Sequence, residues 1–127
     1  MHKLLIVDDS STMRRIFKRI LRQADVPVGD IVEAGSAVDG LACLKSHPDI
    51  GLVLSDLNMP EMDGVEFVKA VRTRRDKLEL PVIVVGAESG RAEVDTALAV
   101  GANAYVLKPF TPESLREVLG PFFADGQ

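Results

Sequence analysis

Asp8, Asp9, Asp56 and Lys108 are the residues of this 127-residue chain best placed to do chemistry together. Asp8 and Asp9 directly follow the apolar run at 4–7, Asp56 follows the run at 51–55, and Lys108 follows the run at 104–107. If those runs are neighbouring parallel strands, their carboxyl ends share one rim, where open α/β sheets bind ligands. Carboxylates about 5 Å apart repel by roughly 3 kcal/mol per pair at an effective dielectric near 20. A site that gathers three of them needs compensation, which an ammonium and a hard divalent cation supply. Oxygen ligands from Asp side chains and a loop carbonyl suit Mg²⁺. One carboxylate then remains free to attack phosphorus and form an acyl phosphate. The cation and Lys108 would offset charge on the equatorial oxygens during transfer. Taken singly, the Asp pair reads as a helix cap, Asp56 as a turn residue and Lys108 as a surface lysine. Their joint position at three strand ends favours the phosphoryl site.

Positioning these groups requires alternating strands and helices. Five short runs rich in Val, Ile and Leu stand at 4–7, 30–33, 51–55, 81–85 and 104–107. The first and fourth do not alternate in polarity, as expected of strands buried on both faces. Asp30-Ile31-Val32-Glu33 is short with polar ends, which puts it at an edge. Met13, Ile16, Phe17, Ile20, Leu21 and Ala24 recur at helical spacing with basic residues from Arg14 to Arg22 between them, and Ser10 or Ser11 can cap that helix. Ser36 can cap a second helix carrying Val38, Leu41 and Leu44, with Cys43 as a small filler. Val65, Val68 and Val71 mark a third, with Phe67 beside the stripe. Val94, Ala97 and Leu98 mark a fourth, closed by Gly101. Thr111-Pro112-Glu113 starts a fifth, with Leu115, Val118, Leu119 and Phe122 inward and Pro121 bending or fraying its end. Such alternation predicts a doubly wound α/β domain, a five-stranded parallel sheet with helices on both faces. Residues 1–124 form the domain and 125–127 a short tail.

Composition narrows the function. A net charge of −4 argues against a nucleic-acid partner, which calls for a basic face. One cysteine suits a reducing, cytoplasmic location, and no apolar run is long enough to span a bilayer.

Three segments carry a family resemblance over nearly the whole chain. Leu5-Ile6-Val7-Asp8-Asp9, the run from Ser55-Asp56 through Met59-Pro60 to Asp63-Gly64, and Tyr105 through Lys108-Pro109-Phe110 resemble the receiver domains of two-component response regulators. Ser11-Thr12-Met13-Arg14-Arg15 brings the chain nearest to the single-domain chemotaxis regulators that signal to the flagellar motor. The resemblance implies a flavodoxin-like strand order of 2-1-3-4-5. It makes Asp56 the phosphoacceptor, fed by a histidine kinase or phosphotransfer protein. Asp9, Asp56 and the backbone carbonyl of Asn58 would bind Mg²⁺, and Asp8 would contribute through water. Lys108 would contact the phosphoryl group, aimed by a cis Lys108–Pro109 bond. Tyr105 would take part in switching, and Asn58 with Glu88 would tune dephosphorylation. The basic side of the first helix would meet the kinase, and the face of helix four, strand five and helix five would meet an output protein. Such a protein is no enzyme beyond its own phosphorylation and self-dephosphorylation.

At Gly86 the chain departs from the family, which carries Thr or Ser there. The missing hydroxyl forfeits a charge-assisted hydrogen bond of about 1.5–3 kcal/mol, weakening the bias toward the active state. The Ala87 amide and a water in the vacated space could serve instead, and Gly86→Thr is expected to strengthen output. Gly86 also supports a rival reading, a pseudo-receiver scaffold indifferent to phosphate, and relay to a second phosphotransfer protein is a further alternative. An aspartate-nucleophile phosphatase is disfavoured, because Asn58 stands where that class needs a second acid.

Overall fold

The computed structural model describes residues 2–87 and 90–124 and alternates strand and helix five times. The strands are β1 (His2–Val7), β2 (Val28–Ala34), β3 (Ile50–Asp56), β4 (Val82–Ala87) and β5 (Ala104–Lys108). The helices are α1 (Ser11–Ala24), α2 (Ala37–Ser46), α3 (Gly64–Arg72), α4 (Arg91–Ala99) and α5 (Pro112–Ala124). All strand pairs are parallel and the order is β2-β1-β3-β4-β5, as the sequence implies. β2 is an edge strand but longer than its four-residue polar core suggested, because backbone pairing to β1 begins at Val28.

Successive residues of the central strands feed opposite layers. Leu4, Ile6, Ile83 and Val85 pack with Phe17, Leu21, Leu115 and Leu119 of α1 and α5. Leu5, Val7, Val82 and Val84 pack with Phe67, Val68, Val71 and Val94 of α3 and α4. Burial on both faces is why these strands lack alternation. Truncating a large side chain such as fully buried Phe17 or Phe67 would cost about 3–5 kcal/mol.

Local chemistry sets the helix ends. Ser10, not Ser11, caps α1, its hydroxyl accepting from the Met13 amide at 3.2 Å. Ser36 accepts from the Asp39 amide at 3.1 Å, and Asp63 starts α3 by accepting from the Glu66 amide at 2.9 Å. Thr111 and Ser114 exchange side chain-to-amide bonds of 3.1 and 2.9 Å at the start of α5. One expectation needs correction. Val38 is exposed, and α2 meets the core through Ala37 and Gly40, with Leu41 and Leu44 half-buried. α5 continues through Pro121, and its innermost aromatic is Phe123, one position beyond half-buried Phe122. A spacing of four from Leu115 through Leu119 reaches Phe123. The tail at 125–127 lies outside the described residues.

Candidate functional site

Strand register assembles the site. Val7 pairs with Ser55, Asp56 with Val85, and Ala87 with Lys108, so the ends of β1, β3, β4 and β5 come out on one rim. The site lies at the switch point between β1 and β3, where the chain winds away in both directions. Carboxylate oxygens of Asp8, Asp9 and Asp56 all lie within 4.8 Å of one another. Lys108 reaches in from β5, its Nζ 3.6 Å from Asp56 Oδ1. The Lys108–Pro109 peptide is cis. Phe110 stacks on Phe17 with centroids 4.7 Å apart, anchoring the chain just beyond Lys108 to α1.

The carboxylates sit in different environments. Asp8 and Asp56 are buried, and Asp9 is exposed. Asp8 Oδ1 accepts from the Ser10 amide at 2.9 Å, while its buried Oδ2 has no partner among the described residues. Burial raises the Asp8 pKa above the usual carboxylate range; the Ser10 amide opposes this and the Asp56 charge adds to it. Burial likewise raises the Asp56 pKa, and the Lys108 charge is the main opposing influence. Three carboxylates against one ammonium leave a double negative charge, and one buried acceptor of Asp8 is left without a partner among the described residues. An all-oxygen set with that charge fits a hard divalent cation.

Three neighbours of the site escaped the sequence reading. Gly64 opens α3 against the end of β3, and a Cβ there would lie 2.6 Å from both the Asp56 carbonyl oxygen and Leu57 Cα. The Arg14 guanidinium donates to the Asp8 carbonyl and, at 3.0 Å, to Glu33. Arg91 stacks over Tyr105, its guanidinium carbon 4.6 Å from the ring centroid. Gly64 and Arg14 stood inside quoted motifs, but only tertiary packing exposes their contacts.

At Gly86 the expected vacancy does not exist. A Cβ there would meet Val94 Cγ2 of α4 at 2.8 Å and Leu57 Cδ1 at 3.2 Å. Val94 is fully buried, so α4 sits directly on the β4 backbone. A side chain at 86 would therefore have to move the Val94 methyl, and with it the packing of α4 on β4. Ala87 is at the rim beside Lys108, half-buried Tyr105 is one strand over, and Asn58 is exposed just past Asp56, its amide 3.4 Å from Asp56 Oδ1. Glu88 lies outside the described residues.

A doubly wound sheet with an acidic rim faced by a lysine is the arrangement that the receiver resemblance implies. The chain belongs to the response regulator receiver domain family, whose pattern matches residues 4–120, and is a response regulator of two-component signalling. Among its relatives, the Campylobacter jejuni protein named Chemotaxis protein CheY homolog is 45% identical over 124 residues, covering 98% of this chain and 94% of that protein. The chemotaxis response regulator CheY4 of Vibrio cholerae superposes with a TM-score of 0.81 at 33% identity, covering 96% of this chain and 98% of that one. A probable two-component response regulator/GGDEF domain protein superposes at 0.89 with 34% identity over 98% of this chain; this chain spans about half of that longer protein. Among the described residues no helix is long and apolar enough to cross a membrane.

Proposed function

We propose that Asp56 accepts a phosphoryl group from a histidine kinase or phosphotransfer protein, and that the chain then signals by protein contact in chemotaxis, as its relatives' names suggest. The observation that carries this reading is a buried carboxylate at a strand end, faced by an ammonium at 3.6 Å and flanked by two more acids. Asp8, Asp9, Asp56 and the Asn58 carbonyl would hold Mg²⁺. Bound there, Mg²⁺ supplies positive charge that lowers the repulsion between an anionic nucleophile and an anionic donor.

The chain's own residues do the rest. Asp56 attacks phosphorus, a P–O bond forms as the donor's P–N bond breaks, and the leaving imidazole takes a proton from solvent. Burial strips the Asp56 carboxylate of water and favours its attack. The Lys108 ammonium follows the negative charge as it moves onto the phosphoryl oxygens, and the Ala87 amide serves the same group. Self-dephosphorylation reverses the covalency with water as nucleophile, releasing phosphate. Exposed Asn58 stands where it can orient that water, as the family resemblance implies for Glu88. No other substrate is turned over.

Output would use the face of α4, β5 and α5. A groove of about 750 Å³ opens there beside Tyr105, lined by Leu107, Val118 and Phe122. The close seat of α4 on Gly86 favours a second reading, in which phosphorylation occurs but α4 stays put. Beryllofluoride with Mg²⁺, followed by amide NMR, separates the two. Shifts that spread from Asp56 to Tyr105 and α4 support the switch. Shifts confined to the acidic rim leave a scaffold, and no shift refutes the site. The protein would act in the cytoplasm.

A further inference from the structure

The far end of the molecule carries a surface that the phosphoryl site does not use. α2 and α3 run antiparallel to the strands, so their carboxyl ends lie at the rim opposite Asp56. Between them opens a groove of about 430 Å³ with Leu41, Leu44 and Val71 in its lining. This volume falls in the range of ligand-sized sites. Lys45, Arg74 and Arg75 also line it, and no carboxylate does. In a chain of net charge −4, that concentration of cations runs against the overall balance.

These cations are not committed elsewhere. Arg72 already serves the local carbonyls, donating to Gly101, Arg75, Asp76 and Leu80 and to the Asn103 side chain. Among the described residues, Lys45, Arg74 and Arg75 make no ion pair, and their side chains donate no hydrogen bond. Helix dipoles account for a cation in a last turn, which covers Lys45. Arg74 and Arg75 follow the C-cap of α3, where their backbone amides close the last turn on the Val71 carbonyl and their side chains remain unpaired among the described residues.

We propose that this groove docks an acidic amphipathic helix of a partner protein. Apolar side chains at i, i+3 and i+4 would enter between α2 and α3, while Asp and Glu on the flanks face Lys45, Arg74 and Arg75. The output groove is a poor competitor for such a helix, because its lining includes Glu117 and neither Lys nor Arg. Docking here leaves the rim around Asp56 free and does not depend on phosphorylation.

The test uses the whole unphosphorylated chain, isotope-labelled, and a synthetic helical peptide with a leucine stripe on a glutamate background. Saturable amide shifts should concentrate at residues 41–45 and 70–75. Lys45→Glu with Arg74→Glu should weaken binding at least tenfold, and Ala42→Gln, at an exposed groove position, should block it without a charge change. Raising salt should weaken it too. The proposal fails if no saturable shifts appear, if they map only to the output groove, or if a peptide with the same residues but no leucine stripe binds equally well. Because no phosphodonor is present, failure here leaves the reading of Asp56 untouched.

Discussion

Replacing Gly86 by alanine should destabilise the protein, and trimming Val94 should restore much of the loss. The added methyl would sit 2.8 Å from Val94 Cγ2, against an optimal carbon–carbon separation of about 3.5–4.0 Å. Val94 is β-branched and fully buried, so its methyl has little freedom to turn away. Overpacking of this kind costs about 1–3 kcal/mol. Replacing a strand glycine returns about 0.5–1 kcal/mol of backbone entropy, leaving a net loss centred on about 1 kcal/mol and no larger than about 2.5 kcal/mol. Val94→Ala alone removes two buried carbons, worth about 1.6 kcal/mol in transfer energy, with a cavity term added. In the double variant the methyl at 86 occupies space that Val94 vacates. The two losses should therefore combine to about 1–2 kcal/mol less than their sum. Urea unfolding of the four proteins at a common slope gives this coupling directly. Losses that add to within about 0.5 kcal/mol would show that the two residues do not share that space, and the correction at Gly86 would fall.

Other outcomes follow from the same geometry. Asp8→Asn removes a buried charge whose pairwise repulsion is about 3 kcal/mol before solvent screening. In chelator it should gain about 1–2 kcal/mol and several degrees of Tm, while losing the Tm increment that Mg²⁺ gives the parent. Because Asp8 and Asp56 have raised folded-state pKa values, the metal-free parent should lose stability as pH rises from the ordinary carboxylate pKa through those raised values. Asp8→Asn should flatten that loss. Glu33 behaves oppositely: Lys18 first, then Arg14, hold its pKa below the ordinary value. That contribution is present above the unfolded pKa and lost as pH falls through the folded one, so Glu33→Gln should narrow its deficit in acid. The pair is surface-exposed, so the effect should stay below about 1 kcal/mol. Gly64→Ala forces a methyl against the backbone of Asp56 and Leu57, and should cost more than about 2 kcal/mol in denaturant unfolding.

Much of this was legible in sequence because it depends on local periodicity. Uninterrupted apolar runs at 4–7 and 81–85 announce strands covered on both faces, and the acids that follow such runs must emerge at a common rim. What escaped depends on which surfaces meet in space. Nothing near Gly86 in the chain says that Val94 will fill its missing side chain, and nothing near Gly64 says that a backbone will pass 2.6 Å from its absent Cβ. Val38 was misplaced for a related reason. Helical spacing identifies a stripe, but a rotation of one position is decided by how the helix seats, as Ala37 shows. Arg72, which no sequence pattern singles out, is the residue that ties the α3–β4 connection to Gly101 and Asn103.

The most direct test of the central claim is the intact mass of the folded protein saturated with Mg²⁺ and acetyl phosphate. One added phosphoryl group is expected in the parent, lost in Asp56→Asn and lost again when Mg²⁺ is chelated. A parent that gains no mass, or an Asp56→Asn variant that gains it equally, would contradict the assignment of Asp56.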